Sequence, residues 1–155
     1  MLTHSQERII IYTDGACSGN QSASNAGGWG AVLKYKDKMK EIHGGEGNTS
    51  NQRMELTACI RALESIKSKD IPIDIYSDSA YLINCMHDKW YLAWQKNGWK
   101  NAKKKPVENR DLWEQLLELL SRHIVRFHKV AGHTGIELNE RADHLAQMGI
   151  QELEP

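Results

Sequence analysis

The sequence predicts an α/β domain, a mixed sheet with helices on its faces. Three features carry that prediction. Strand-like segments fill the N-terminal third of the chain. From Thr49 onward, helical and strand periodicities alternate to the end. Strands followed by such alternation give a sheet that is part antiparallel and part parallel. The 155 residues are also enough to bury one substantial core.

The first strand is read over residues 8–14, where Ile9, Ile10, Ile11 and Tyr12 form a run suited to burial on both faces. "GGWGAVLKYKDKMKEIHGG" (27–45) reads as a hairpin turning at Lys36, Asp37 and Lys38. In "TSNQRMELTACIRALESIKS" (49–68), Leu56, Cys59, Ile60, Leu63 and Ile66 recur at helical spacing, with Thr49 to Asn51 as capping candidates. "IPIDIYSD" (71–78) alternates as a strand, and "SAYLINCMH" (79–87) suits a short helix. A helix over 110–122 places Leu112, Trp113, Leu116 and Leu119 on one face. "IVRFHKV" (124–130) is the last strand and "LNERADHLAQMG" (138–149) the closing helix.

Composition narrows the class. The formal net charge is zero, so the whole-chain balance names no partner. No apolar run is long enough for a membrane span, and "MLTHSQER" is too polar for a secretory signal. Three cysteines, odd in number and without a C-x-x-C, indicate a reducing, cytoplasmic compartment and no structural zinc. No linker or repeat divides the chain, so residues 1–155 are read as one domain with its core at about 8–150.

Four carboxylates stand out by position. Asp14 and Asp78 each end a strand, and ligand crevices in open α/β sheets lie beyond the carboxyl ends of strands. Each could equally cap the turn or helix that follows it. Glu55 shares the apolar helix face with Cys59, Ala62 and Ile66, although a glutamate early in a helix also suits the helix dipole. Asp143 shares a face with Ala146 and Ile150, and solvated helix carboxylates are common there. If such groups converge, two like charges 4 Å apart repel by roughly 4 kcal/mol at an effective dielectric near 20. Protons or a hard cation must then compensate, and an all-oxygen donor set favours Mg²⁺ or Mn²⁺.

"YTDGACSGN", "NQRMEL", "YSDSAYL" and "VAGHTGIELNERADHLA", in this order, closely resemble the bacterial-type ribonuclease H type 1 family. The resemblance runs from about Ile9 to Met148. It implies the ribonuclease H-like fold, a five-stranded mixed sheet flanked by helices on both faces. It implies an endonuclease that hydrolyses the RNA strand of RNA–DNA hybrids, leaving 5′-phosphate and 3′-hydroxyl ends. Asp14, Glu55, Asp78 and Asp143 match the family's metal-binding carboxylates. Two Mg²⁺ ions per active site, with Mn²⁺ as a substitute, would bracket the scissile phosphate. By the same resemblance Asp14 would bridge the ions, Glu55 and Asp78 would hold one, and Asp143 the other. His133, in a glycine-flanked loop, matches a histidine that helps proton movement.

Residues 89–105, "KWYLAWQKNGWKNAKKK", hold six lysines, no acid and three of the five tryptophans. Basic residues interleaved with aromatics suit a nucleic-acid backbone. Trp90 and Trp94, at i and i+4, could instead pack a helix to the body. The segment resembles the family's basic protrusion, which implies DNA-strand contacts from Trp90, Trp94, Lys96, Trp99, Lys100, Lys103, Lys104 and Lys105. Asn20, Asn51 and Gln52 match positions that contact the hybrid near the cut, with backbone around Gly15 to Cys17 helping; turn and cap chemistry is their other reading. Reading the RNA 2′-hydroxyl is what such contacts must do.

Some residues depart from the family pattern. The loop after Asn20 is longer than usual, Gln52 stands where many members have a second Asn, and Ala80 and Ala131 replace polar residues. A non-catalytic hybrid-binding module and a DNA-directed nuclease on the same fold are the alternatives. The complete carboxylate set disfavours the first, and the basic, tryptophan-rich segment the second. The expected partner is the hybrid alone, bound by a monomer with no obligate protein partner and no membrane.

Overall fold

A computed structural model of the chain describes residues 7–18, 25–131 and 136–153. Five strands form one sheet in the order β3-β2-β1-β4-β5. They are β1 (Ile9–Ser18), β2 (Ala26–Tyr35), β3 (Lys38–Gly47), β4 (Ile73–Ser77) and β5 (Val125–Lys129). The first three pair antiparallel, and β4 and β5 run parallel to β1. The five helices are α1 (Asn51–Glu64), α2 (Ala80–Asp88), α3 (Trp90–Asn97), α4 (Arg110–Leu120) and α5 (Glu137–Leu153). The mixed sheet flanked by helices on both faces is thus the observed architecture.

Several boundaries differ from the sequence reading, α5 running to Leu153 rather than 149 among them, and three have a clear local reason. β1 does not end at Asp14. Its pairing with β4 stops at Tyr12↔Tyr76, but its ladder with β2 continues through Asp14↔Gly30 to Ser18↔Ala26. Helix α1 ends at Glu64 rather than 68, because the Ser65 N–H and hydroxyl both donate back to the Ala62 carbonyl and close the last turn. The hairpin turn uses Lys36 and Asp37 only, with Lys36 in the left-handed region (φ 57°), while Lys38 already pairs with Tyr35.

The main core lies between the sheet and helices α1, α2 and α4, where Ile11, Ile75, Leu56, Leu82 and Trp113 are fully buried. On the opposite face α5 packs against β1, β2 and β3. The approach there is close to backbone on backbone. A Cβ on Gly28 would lie 1.9 Å from the Ala146 carbonyl oxygen, and one on Gly149 would lie 2.0 Å from that of Gly44. Only glycine permits this approach, and it sets the height of α5 above the sheet.

The face of β4 and β5 beside α5 carries a charged cluster instead of a helix contact. Asp74, 4% exposed, accepts from His128 Nε2 at 2.8 Å and Arg126 Nε at 3.2 Å, and is paired with Arg8. Burial pushes the Asp74 carboxyl up, but the bonds from Arg8 and His128 and the Arg8 and Arg126 charges prevail and hold it at about 2. A depressed carboxyl pKa contributes stability above the unfolded value near 4 and loses it as pH falls toward the folded value. The contribution is on the order of 2 kcal/mol. The stability difference between wild type and Asp74→Asn, from urea unfolding, is expected to shrink between pH 4 and pH 2; a difference constant over that range would contradict this.

Candidate active site

The sheet brings three of the four singled-out carboxylates together. One carboxylate oxygen each from Asp14, Glu55 and Asp78 lies within 4.8 Å of the others. Asp14 stands on β1 just past the point where β4 stops pairing with it, and Asp78 follows the last residue of β4. The N-cap of α2 is Ser79 and not Asp78, its hydroxyl accepting from Leu82 N at 3.1 Å. Glu55 reaches the site because α1 rests on β1 at Gly15, where a Cβ would lie 2.4 Å from the Glu55 nitrogen. Ser50 caps α1 through Arg53 N, and the Arg53 guanidinium bonds to both Asp111 oxygens, tying the start of α1 to α4.

Asp143 lies exposed on α5, near enough to Asp14 to raise its carboxyl pKa. It lines a cleft of about 270 Å³ together with Asp14, Gly15, Glu55, Asp78, Asn139 and Glu140. Asn139 and Glu140 do not stand out in the sequence. Asn139 is one helical turn before Asp143, 6% exposed and thus polar where α5 is otherwise buried by apolar residues. That turn spacing was the available signal.

Electrostatics mark this cluster as incomplete. Burial, the nearby Asp143 side chain and the charges of Asp78 and Asp143 push the Asp14 carboxyl up to about 8. Burial and the charges of Asp14 and Asp78 raise Glu55 as well. The Gly15 N–H, which faces both, offsets only part of this. Glu55 Oε1 is buried with no hydrogen-bond partner among the described residues. An orphaned buried acceptor beside two further carboxylates is what a hard divalent cation would satisfy, so the donor set fits Mg²⁺ or Mn²⁺.

The remaining sequence candidates divide. Asn51 and Gln52 are exposed on the first turn of α1, and Cys17 is half-buried with Sγ 3.8 Å from the Thr49 carbonyl. Asn20 and His133 lie outside the described residues. Lys96, Lys100, Lys103, Lys104 and Lys105 are exposed. Asn101 shapes the tip of their loop, its Oδ1 accepting from the backbone of Lys103 and Lys105. The tryptophans are unequal. Trp99 is 7% exposed, and the Trp94 ring packs between Trp99 and Trp113, at centroid distances of 5.8 and 5.7 Å. These two rings therefore hold the segment to the body, while Trp90 is 40% exposed.

Comparison with known proteins bears on the family and the fold. The sequence model of the RNase H family matches residues 6–151. The ribonuclease H of Syntrophomonas wolfei subsp. wolfei is 54% identical over 147 residues, covering 95% of this chain and 99% of its own. That of Chlorobaculum parvum is 52% identical, covering 95% and 98%. Among solved structures, LC9-RNase H1, a type 1 RNase H with the type 2 active-site motif, matches with a TM-score of 0.84 at 29% identity, over 94% of this chain and 73% of its own. LC11-RNase H1, solved with an RNA/DNA hybrid, shares the fold with a TM-score of 0.72 at 23% identity, over 96% and 100%.

Proposed function

The chain belongs to the RNase H family, and on that premise we propose that it is a metal-dependent endonuclease hydrolysing the RNA strand of RNA–DNA hybrids. The observation that carries this reading is the meeting of Asp14, Glu55 and Asp78 oxygens within 4.8 Å, in a cleft that Asp143 also lines. Two Mg²⁺ ions, or Mn²⁺ in their place, would supply an activated water and a counter-charge for the departing 3′ oxygen, leaving 5′-phosphate and 3′-hydroxyl ends. Asp14, Glu55, Asp78 and Asp143 are the groups that would hold them. The chain's part is to fix those carboxylates in advance: the β1–β2 ladder runs beneath Asp14, and α1 is pinned against Gly15.

His133 is assigned the proton-carrying role that histidine side chains commonly fill in catalysis. His133→Ala is expected to slow turnover by about a hundredfold and to leave hybrid affinity unchanged; full activity in a turnover assay would remove it from the mechanism. Lys96, Lys100, Lys103, Lys104, Lys105 and Trp90 are assigned to the DNA strand, and Asn20, Asn51, Gln52 and the backbone of Gly15 to Cys17 to the hybrid near the cut. Replacing Lys103, Lys104 and Lys105 by Ala is expected to weaken binding and to flatten the plot of log affinity against log salt, by roughly one unit for each phosphate left without its lysine. An unchanged slope would place those lysines off the substrate.

No helix among the described residues is long and apolar enough to cross a membrane. We read the enzyme as a cytoplasmic, single-domain monomer, on its three free cysteines and on a carboxylate set drawn from one chain; gel filtration checks the oligomeric state. The test of function is cleavage of a labelled RNA–DNA hybrid in Mg²⁺ and in EDTA, with all-RNA and all-DNA duplexes as controls. Metal-dependent scission of the RNA strand of the hybrid is expected. Tight hybrid binding without scission would favour a binding module, and cutting of the DNA duplex a DNA-directed nuclease.

A further inference from the structure

We propose that the free edge of β5 and the groove beside it form a docking site for an acidic, extended peptide segment of a partner protein, which joins the sheet as a sixth strand. β5 is the last strand in the sheet order, and no strand among the described residues pairs with its outer side. The ladder direction fixes which groups are unpaired. Ile73 N donates to the Ile124 carbonyl and Val130 N to that of Ser77. In a parallel pair this turns the backbone of Arg126 and His128 toward β4, and that of Val125, Phe127 and Lys129 outward. One outward carbonyl already takes a donor from beyond the sheet: His87 Nε2 lies 2.9 Å from the Phe127 oxygen.

The edge opens onto a groove of about 690 Å³, a volume in the range of sites that take a ligand or a short segment. Its floor is apolar, from Met86, Leu117, Leu120, Val125 and Phe127. Its charged lining is cationic, from Lys89 and Arg126, with no Asp or Glu contributing, and the His87, His123 and His128 rings complete its polar side. Arg126 bonds Asp74 yet keeps 62% of its side chain exposed. In a chain of zero net charge, this local excess selects an acidic partner. The edge itself selects a peptide over a nucleic acid. Outward carbonyls need donors as well as acceptors opposite them, and a peptide backbone offers both while a phosphodiester offers only acceptors. Basic residues on an edge repel basic strands and disfavour indiscriminate pairing, which leaves an acidic strand as the matched addition. None of this depends on the catalytic reading, since it rests on β5, α2, α3 and α4 alone.

The test uses the intact protein and a fluorescein-labelled decapeptide alternating Asp or Glu with Leu or Phe. Saturable, salt-sensitive binding is expected, at least about tenfold tighter than that of the same peptide with Lys for each acid. Amide hydrogen exchange is expected to slow at Val125, Phe127 and Lys129 on binding, with Arg126 and His128 unchanged. Arg126→Ala is expected to weaken the peptide severalfold with hybrid cleavage unaltered; if that variant folds poorly, the alternating exchange pattern in the wild type decides alone. Absence of binding, protection elsewhere, or equal competition by single-stranded DNA would overturn the proposal. Protection of the same amides that grows with protein concentration and needs no peptide would assign the edge to a second copy of this chain and overturn it equally.

Discussion

Asp14→Asn is expected to lower hybrid cleavage by at least a thousandfold while making the metal-free protein more stable. Both effects come from the same crowding. Asp14 is 8% exposed, grouped with Glu55 and Asp78 in a cleft that Asp143 also lines. Asparagine keeps the volume and removes one negative charge, so a bound cation loses a ligand whose contribution is several kcal/mol, and each 1.36 kcal/mol is tenfold in rate. Without metal, the wild type must take up a proton at Asp14 on folding or hold its charge beside the other carboxylates, and asparagine avoids both costs. The pH dependence has a definite sign. Burial and the neighbouring carboxylates raise the Asp14 carboxyl to about 8, and a raised carboxyl contributes stability that is complete below the unfolded pKa near 4 and lost as pH rises through the folded value. In EDTA, thermal unfolding of the wild type should therefore fall from pH 5 to pH 9, and that of Asp14→Asn should fall less. Single-turnover cleavage and melts with and without Mg²⁺ measure both arms. An Asn variant within tenfold of wild-type cleavage would sink the assignment of Asp14 as a metal ligand.

Gly28→Val is expected to cost on the order of 3 kcal/mol, lowering the unfolding midpoint by about 6–12 °C. The first added atom would lie 1.9 Å from the Ala146 oxygen and 2.7 Å from the Ile150 nitrogen. Both are helix backbone, so no rotamer change relieves the clash and α5 must move away from β2. Asp143 rides on α5 three residues before Ala146, so the packing defect should reach the cleft and reduce cleavage by tenfold or more. Gly47→Ala is the matched control, because its nearest neighbour would be 3.7 Å away; it should melt like the wild type. Equal melting of the Gly28 and Gly47 variants would show that α5 is not held by this close approach.

Much of this was legible because it is local. The helical period placed Glu55 on the face with Cys59 and Ala62, and the structure buries both of those neighbours and points the carboxylate into the cluster. The strand alternation of 71–78 put Asp78 at the right end of β4. What stayed hidden depends on partners distant in the chain. The end of β1 is set by β2, not by the residues around Asp14. The roles of Trp94 and Trp99 depend on Trp113. Asp74 reads as an ordinary polar strand residue until Arg8, Arg126 and His128, 52 to 66 positions away, are brought against it. Glycine inside a strand weakens it in isolation, and only the distant α5, lying directly on Gly28 and Gly30, gives those residues of β2 their role.

The unequal reach of β1 and β4 has a consequence for how such a chain can vary. Because β1 stays laddered to β2 for four residues beyond Asp14, the connection between these strands is attached past the site rather than at it. A change in the length of that connection is absorbed at the Ser18↔Ala26 end of the ladder, leaving the register at Asp14↔Gly30 untouched. The hairpin thus acts as a mechanical insulator between whatever lies beyond the Ser18↔Ala26 pair and a carboxylate that must not move.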